Sequence, residues 1–173
     1  MIYKKGNIVS HPKMDWGRGV VMENSDGKTV EILFEKVGIK KLSLQYVEPI
    51  LIDVTTLPTI EIKKLEINHK IYEGVHFVDI YTDIKSMYPD HLVIIENGCY
   101  FEIIEDDALY LSQLYGWTVY ERQHGVLMTG FPDNAKHIWN DLVSFKKPYL
   151  IVSQLENMDN GNIKRKITDI YPK

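Results

Sequence analysis

Residues 1 to about 50 carry their apolar positions in short alternating runs broken by glycine, with no stretch of helical period. The alternation predicts strands over Asn7–Ser10, Gly19–Asn24, Thr29–Phe34 and Lys40–Leu44, and Asp26-Gly27 is a tight-turn signal between two of them. Four or five short strands in fifty residues predict a small SH3-like barrel. From Leu51 to Asn68, Pro58 and the β-branched residues read as extended linker or edge strand. The domain boundary is placed there: barrel 1–50, linker 51–70, second domain 71–173.

The second region alternates helix and strand. Val78–Met87 has a helical pattern that must stop before Pro89, because the residue preceding proline disfavours the helical conformation. Leu92–Glu96 and Cys99–Ile104 are apolar strands around Asn97-Gly98, a hairpin signal. Asp106 and Asp107 set acids at the start of a helix to Tyr115, which Gly116 closes. Trp117–Arg122 and Val126–Thr129 read as strands. Asp133–Phe145 reads as a helix with Ile138, Trp139, Leu142 and Val143 on one face. Strands at Tyr149–Val152 and Ile163–Ile170 complete a mixed sheet flanked by about three helices, so the fold class is α+β.

Composition narrows the function classes. Of 173 residues 45% are hydrophobic and 25% charged, an ordinary globular balance. Cys99 has no second cysteine, which excludes a disulfide framework and a multi-cysteine zinc site. No apolar run reaches the roughly 18 residues of a membrane span, and Met1–Lys5 begins no signal-peptide core, so a cytoplasmic protein is expected. The net charge of −4 argues against coating nucleic acid by bulk electrostatics. It divides unevenly: residues 1–57 hold 8 basic and 7 acidic groups, residues 58–173 hold 12 and 17.

Catalytic motifs fail on spacing. Asp26-Gly27-Lys28-Thr29 superficially suggests a phosphate loop, but the required earlier glycine is Met22 and no helix follows, so a hairpin turn is expected. Of six scattered histidines, His69 and His76 lack an acid or cysteine at usual metal-ligand spacing, and surface or turn positions are expected. Pro89-Asp90 and Pro132-Asp133 are not followed by the acid-x-lysine triplet of a Mg²⁺ nuclease, and Glu105-Asp106-Asp107 sits where a helix start wants negative charge. Nothing resembles a nucleophile elbow. No enzyme, metal or cofactor is expected.

Informative chemistry lies at Asn97-Gly98-Cys99-Tyr100-Phe101-Glu102-Ile103-Ile104. Strand alternation puts Cys99, Phe101 and Ile103 on an apolar face for the core. Tyr100, Glu102 and Ile104 take the other, expected to be exposed. An aromatic ring there can wedge between bases from the minor groove, and a carboxylate can accept a hydrogen bond from a base that has lost its partner. An ordinary half-buried tyrosine beside a solvated glutamate satisfies the same pattern.

Longer motifs add context. Tyr81–Asp90, Leu92–Glu102, Glu105–Leu114, Met128-Thr129-Gly130-Phe131-Pro132, Ile151-Val152-Ser153-Gln154 and Asn162–Ile167 occur in order, and together Tyr81–Lys173 resembles the N-terminal mismatch-recognition domain (domain I) of MutS proteins. The resemblance implies that Tyr100 stacks on a mispaired base and Glu102 hydrogen-bonds it. It further implies that Arg122 and His124, on the short loop between Tyr120 and Val126, contact the DNA backbone. Cys99, Asn134 and Ser153 stand where the family carries aspartate, histidine and glutamate. The first region, through Gly6–Pro12, Trp16-Gly17-Arg18-Gly19-Val20-Val21, Val30–Glu35 and Lys40–Leu44, resembles the Tudor/SH3-like module at the C-terminus of UvrD/PcrA-type helicases. That resemblance implies a protein-contacting module, with Trp16, Lys40 and Lys41 as candidate partner-binding residues. For Trp16 a barrel-corner anchor beside Gly17 is the simpler role.

The expected function is a non-catalytic accessory protein that recognises mispaired or distorted duplex DNA through Tyr100 and Glu102, without the ATPase and clamp of MutS. The alternative is an adaptor whose Tudor-like barrel docks on RNA polymerase, a helicase or a phage or mobile-element reverse transcriptase complex. Because the second region is the acidic one, backbone affinity alone is not expected to hold it on DNA.

Overall fold

The computed structural model describes residues 2–53, 57–155 and 162–172. Residues 54–56 of the expected linker, and Lys173 at the end of the expected second domain, lie outside the described residues. The chain divides into two compact units, Met1–His69 and Lys70–Lys173.

The N-terminal unit contains β1 (Ile8–Ser10), β2 (Arg18–Val21), β3 (Thr29–Phe34), β4 (Gly38–Ser43), β5 (Ile50–Asp53) and α1 (Thr59–His69). The strands form one antiparallel sheet in the order β4-β3-β2-β1-β5. Val9, Val21, Val30, Ile32 and Phe34 fill its core, with the Tyr3 ring among them. The Tyr3 hydroxyl donates to the Pro49 carbonyl at 2.7 Å, so the buried phenol is satisfied. Before β3, an Asp26 carboxylate oxygen accepts from the backbone N–H of Lys28 (2.7 Å) and Thr29 (2.6 Å). That is an aspartate-capped turn with no phosphate cradle behind it.

Residues 51–68 differ from expectation. β5 is an edge strand, as one reading had it, but Thr59–His69 is a helix. Pro58 stands before its first turn and its carbonyl accepts from the Glu61 N–H at 2.9 Å; Glu61 also places an acid at the positive end of the helix dipole. At its far end His69 Nε2 meets the Glu35 carbonyl at 2.9 Å. Tertiary anchoring and the start signals outweigh the weak preference of three isoleucines for strand.

The C-terminal unit contains β6 (Tyr72–Glu73), α2 (Phe77–Lys85), β7 (Leu92–Asn97), β8 (Tyr100–Ile104), α3 (Glu105–Tyr115), β9 (Tyr120–Glu121), β10 (Leu127–Pro132), α4 (Lys136–Ser144), β11 (Tyr149–Leu155) and β12 (Lys164–Tyr171). They build a seven-stranded mixed sheet, order β6-β12-β11-β7-β8-β10-β9, in which β7 and β11 run parallel. The molecule is therefore α+β, a small barrel-like β unit and a mixed sheet with helices.

One sheet face buries Leu92, Ile94, Ile103 and Phe131 with Leu111 of α3 and Leu142 of α4. Phe101 joins this core, stacked on Phe131 at 5.5 Å and edge-on to Trp139 at 5.0 Å. On the other face, α2 packs against β7 with Ile80 and Ile84 buried. Asp107 ties three elements together. It accepts from the Val93 N–H at 2.9 Å and from Lys85 Nζ at 2.8 Å, linking α3, β7 and α2. Burial nevertheless pushes its carboxyl above the ordinary range, against the lowering effect of Lys85.

Two expected elements are shorter. Only Tyr120–Glu121 of 117–122 is strand, because Trp117 turns to meet Phe131 edge-on at 6.0 Å and the Thr118 carbonyl is taken by the Thr129 hydroxyl at 2.8 Å. The last helix starts at Lys136, since the Ala135 N–H closes a turn on Pro132 and the Asp133 N–H donates to the Cys99 carbonyl at 2.9 Å. No helix among the described residues is long and apolar enough to cross a membrane.

Candidate nucleic-acid interface

β7 and β8 pair antiparallel, with Asn97 opposite Tyr100, so Gly98 and Cys99 are the two central residues of the connecting turn. Gly98 has φ +62°, a left-handed conformation that favours glycine. Cys99 is exposed. Its expected place on the core face is corrected: a residue at the centre of a two-residue turn lies outside the ladder, so the pleat begins at Tyr100. Tyr100 is half exposed, at 50% of its surface, beside this tip.

Glu102 is also corrected. It shares a face with Tyr100, yet only 5% of it is exposed, and Ile104 beyond it is fully buried. Strand period fixes which residues share a face but not how far a packed element covers it. Here Asn97 and Arg122 hydrogen-bond to Glu102, and Phe77 and Val78 of α2 line one cleft with Glu102 and Ile104, while Tyr100 stays half exposed. Glu102 Oε1 accepts from Asn97 Nδ2 at 3.2 Å and from Arg122 Nη2 at 3.1 Å. Its Oε2 is buried and has no hydrogen-bond partner among the described residues. An unsatisfied buried carboxylate oxygen is costly, and such an atom is able to accept from a water or from a ligand's donor.

The carboxylate belongs to a larger polar cluster that sequence reading missed. Arg165 on β12, 5% exposed, donates through Nε to the Glu96 carbonyl at 3.0 Å and through Nη2 to Asn97 Oδ1 at 3.3 Å. Its guanidinium lies 4.6 Å from the centre of the Phe77 ring. Burial pulls its pKa down, and the charges of Glu102 and Glu96 hold it up. On β11, the Gln154 N–H donates to Glu96 Oε2 at 2.8 Å, while Gln154 Oε1 accepts from the Gly98 N–H at 3.3 Å. Strands distant in sequence thus pin the turn beside Tyr100. The only signal that could have pointed to the cluster was the placement of Arg165 and Gln154 inside the MutS-like segments.

Arg122 and His124 follow β9 on the turn to β10, and both are exposed. Arg122 lies across Glu102, whereas His124 joins it only as a wall of a neighbouring cleft of about 580 Å³ that also includes His76, Phe77, Ile104 and Met128. Among the described residues no group of three His, Cys, Asp or Glu side chains is placed to hold a metal ion.

The three candidates in the N-terminal unit do not converge. Trp16 is half-buried, 5.1 Å edge-on from Phe34 and 4.4 Å from His11, which is a packing role. Lys40 and Lys41 are exposed on the outer strand β4 and point to opposite faces of it.

Residues 75–173 match the family MutS domain I. The chain is 30% identical over 92 residues to the DNA mismatch repair protein MutS of Borrelia garinii subsp. bavariensis and 30% identical over 93 residues to that of Chlorobium limicola. To the MutS of Leuconostoc mesenteroides it is 33% identical over 97 residues. Each match covers 52% of this chain and 11% of the relative, so the chain spans about a tenth of the length of the curated relatives it matches. The matched residues hold both the hairpin that carries Tyr100 and the strand that carries Arg165: this chain belongs to the MutS domain I family.

Proposed function

We propose that the C-terminal unit recognises mispaired or otherwise distorted duplex DNA without catalysing a reaction. The observation that carries this reading is a half-exposed Tyr100 beside a buried Glu102 oxygen that lacks a partner among the described residues. The turn that carries Tyr100 is pinned from two sides. Gln154 Oε1 accepts from the Gly98 N–H at 3.3 Å, and the Asp133 N–H donates to the Cys99 carbonyl at 2.9 Å.

A ring held on a braced turn can enter a weakened base step at little cost in its own ordering, because the turn is already fixed. Glu102 Oε2 then accepts from an N–H of the base that has lost its partner. Arg122 donates to Oε1 of the same carboxylate, and its exposed guanidinium can exchange Glu102 for a phosphate, which would free that second acceptor. Tyrosine keeps the stacking face of an aromatic wedge and adds a hydroxyl.

Binding of the full chain to labelled duplexes tests this reading. A duplex with a G·T mispair or one unpaired base is expected to bind more tightly than its matched counterpart at low salt. Equal binding of all three, or a preference that survives Tyr100→Ala, refutes it.

A second reading concerns the N-terminal unit. The exposed apolar edge of β5, with Ile50 and Ile52, and the exposed lysines of β4 favour a protein-docking role for a Tudor-like module. Its partner would be RNA polymerase, a helicase or a reverse transcriptase complex. Co-sedimentation with such a subunit, lost on removing Lys40 and Lys41, is the outcome this reading requires. Such a partner would also bring the acidic reader to its site, inside the cell and away from membranes.

A further inference from the structure

Tyr120 is 63% exposed on β9, the strand at one edge of the seven-stranded sheet. Register places it on the face that carries Tyr100 and Glu102. Tyr100, Glu102 and Ile104 of β8 stand opposite Pro132, Gly130 and Met128 of β10, and Met128 in turn stands opposite Tyr120. Directly opposed residues of antiparallel strands project from the same side. Between the two tyrosines the floor is Gly130, and a Cβ there would run into the Phe101 carbonyl oxygen. The missing side chain leaves a trough of about 150 Å³ lined by Tyr100, Tyr120, Glu102, Arg122 and Gly130.

We propose that Tyr120 is a second stacking residue and that this trough takes the base of an unpaired nucleotide. The inference rests on the DNA-binding reading above and adds to it a preferred lesion, an extrahelical nucleotide. The volume suits one planar ring. Two exposed aromatic side chains on one open sheet face are a platform for unstacked bases. Glu102 on the trough wall is a carboxylate that can accept from a base N–H once Arg122 releases it, and Arg122 at the rim suits the phosphate of the same nucleotide. A paired but mismatched base remains in the duplex stack and needs only Tyr100.

The test measures the full chain, as wild type, Tyr120→Ala, Tyr120→Phe and Tyr100→Ala, against matched, G·T and single-unpaired-thymidine duplexes at low salt. Tyr120→Ala is expected to weaken binding of the unpaired-thymidine duplex about tenfold, with a loss about fivefold larger than for the G·T duplex. Tyr120→Phe should restore wild-type affinity, which separates stacking from a contact of the hydroxyl. Equal losses on both duplexes, no loss, or no rescue by phenylalanine overturns the proposal. If Tyr100→Ala abolishes the preference while Tyr120→Ala leaves it unchanged, the trough is wrong and the DNA-binding reading stands. If wild type does not distinguish the three duplexes, both fall.

Discussion

The two units differ in where they put their candidate binding residues. In the N-terminal unit Trp16 turns inward against Phe34, and the exposed lysines of β4 diverge. In the C-terminal unit Tyr100 and Tyr120 stay outside while a carboxylate and a guanidinium, Glu102 and Arg165, go inside. The first arrangement fills a core; the second uses buried polar groups to hold a turn in place. The charge differs as well. Residues 1–69 hold 10 basic and 9 acidic groups, a net of +1, and residues 70–173 hold 10 and 15, a net of −5. The unit with the organised site is thus the one that phosphates repel, so its contacts must come from placed groups rather than from bulk attraction.

The largest effect that would challenge this contrast is expected from Arg165→Met. Removing a buried guanidinium strands Asn97 and the nearby carboxylates, and should destabilise the C-terminal unit by about 3 kcal/mol. Denaturant unfolding followed by hydrogen exchange should show the loss in residues 70–173 and little change before them. Loss shared equally by both units would show that the polar cluster is not local to the second.

Tyr100→Ala comes next. The side chain is half exposed, so stability should change by about 0.5 kcal/mol or less, while preference for a distorted duplex falls about tenfold. Melting curves and anisotropy titrations on the same protein separate the two effects.

Acid sets Asp26 of the first unit against Asp107 of the second. Backbone N–H groups of Thr29 and Lys28 hold the Asp26 carboxyl below the usual carboxylate range, so its contribution is present above the unfolded pKa and is lost as pH falls through the folded one. Burial holds Asp107 above that range, so its contribution is present below the unfolded pKa and is lost as pH rises through the folded one. Relative to wild type, Asp107→Asn should gain stability as pH rises through that window, and Asp26→Asn should lose it. Urea titrations across the acid range check both signs.

The smallest effect is expected from Lys40→Ala and Lys41→Ala, which should each move stability by about 0.5 kcal/mol or less. Any larger consequence in a binding assay would then report a partner rather than folding.

Much of the fold was legible locally. Thr29–Phe34 alternates polar and apolar positions from Thr29 to Ile32 as a strand does, and its expected bounds are those observed. The helix ending at Tyr115 stops where Gly116 takes φ +71°, a conformation that glycine adopts without strain. Two failures share one cause. The helix Thr59–His69 reads as extended because isoleucines outnumber other signals locally, yet its end is fastened to Glu35, 34 residues away. Glu102 reads as exposed because alternation names its face but not what covers it.

Local pattern was enough to establish that Tyr100 and Glu102 share a sheet face, that a tight turn precedes them, and that ordered motifs place them in a MutS-like segment. Those facts follow from the two-residue period of a strand and from turn chemistry, which act over a few residues. Only the folded chain reveals that Glu102 is buried with one unpartnered oxygen, that Tyr120 joins its face, and that Gln154 and Arg165 brace the turn. These depend on hydrogen bonds spanning 56 and 69 residues and on which part of the sheet α2 covers, and no local pattern carries that information.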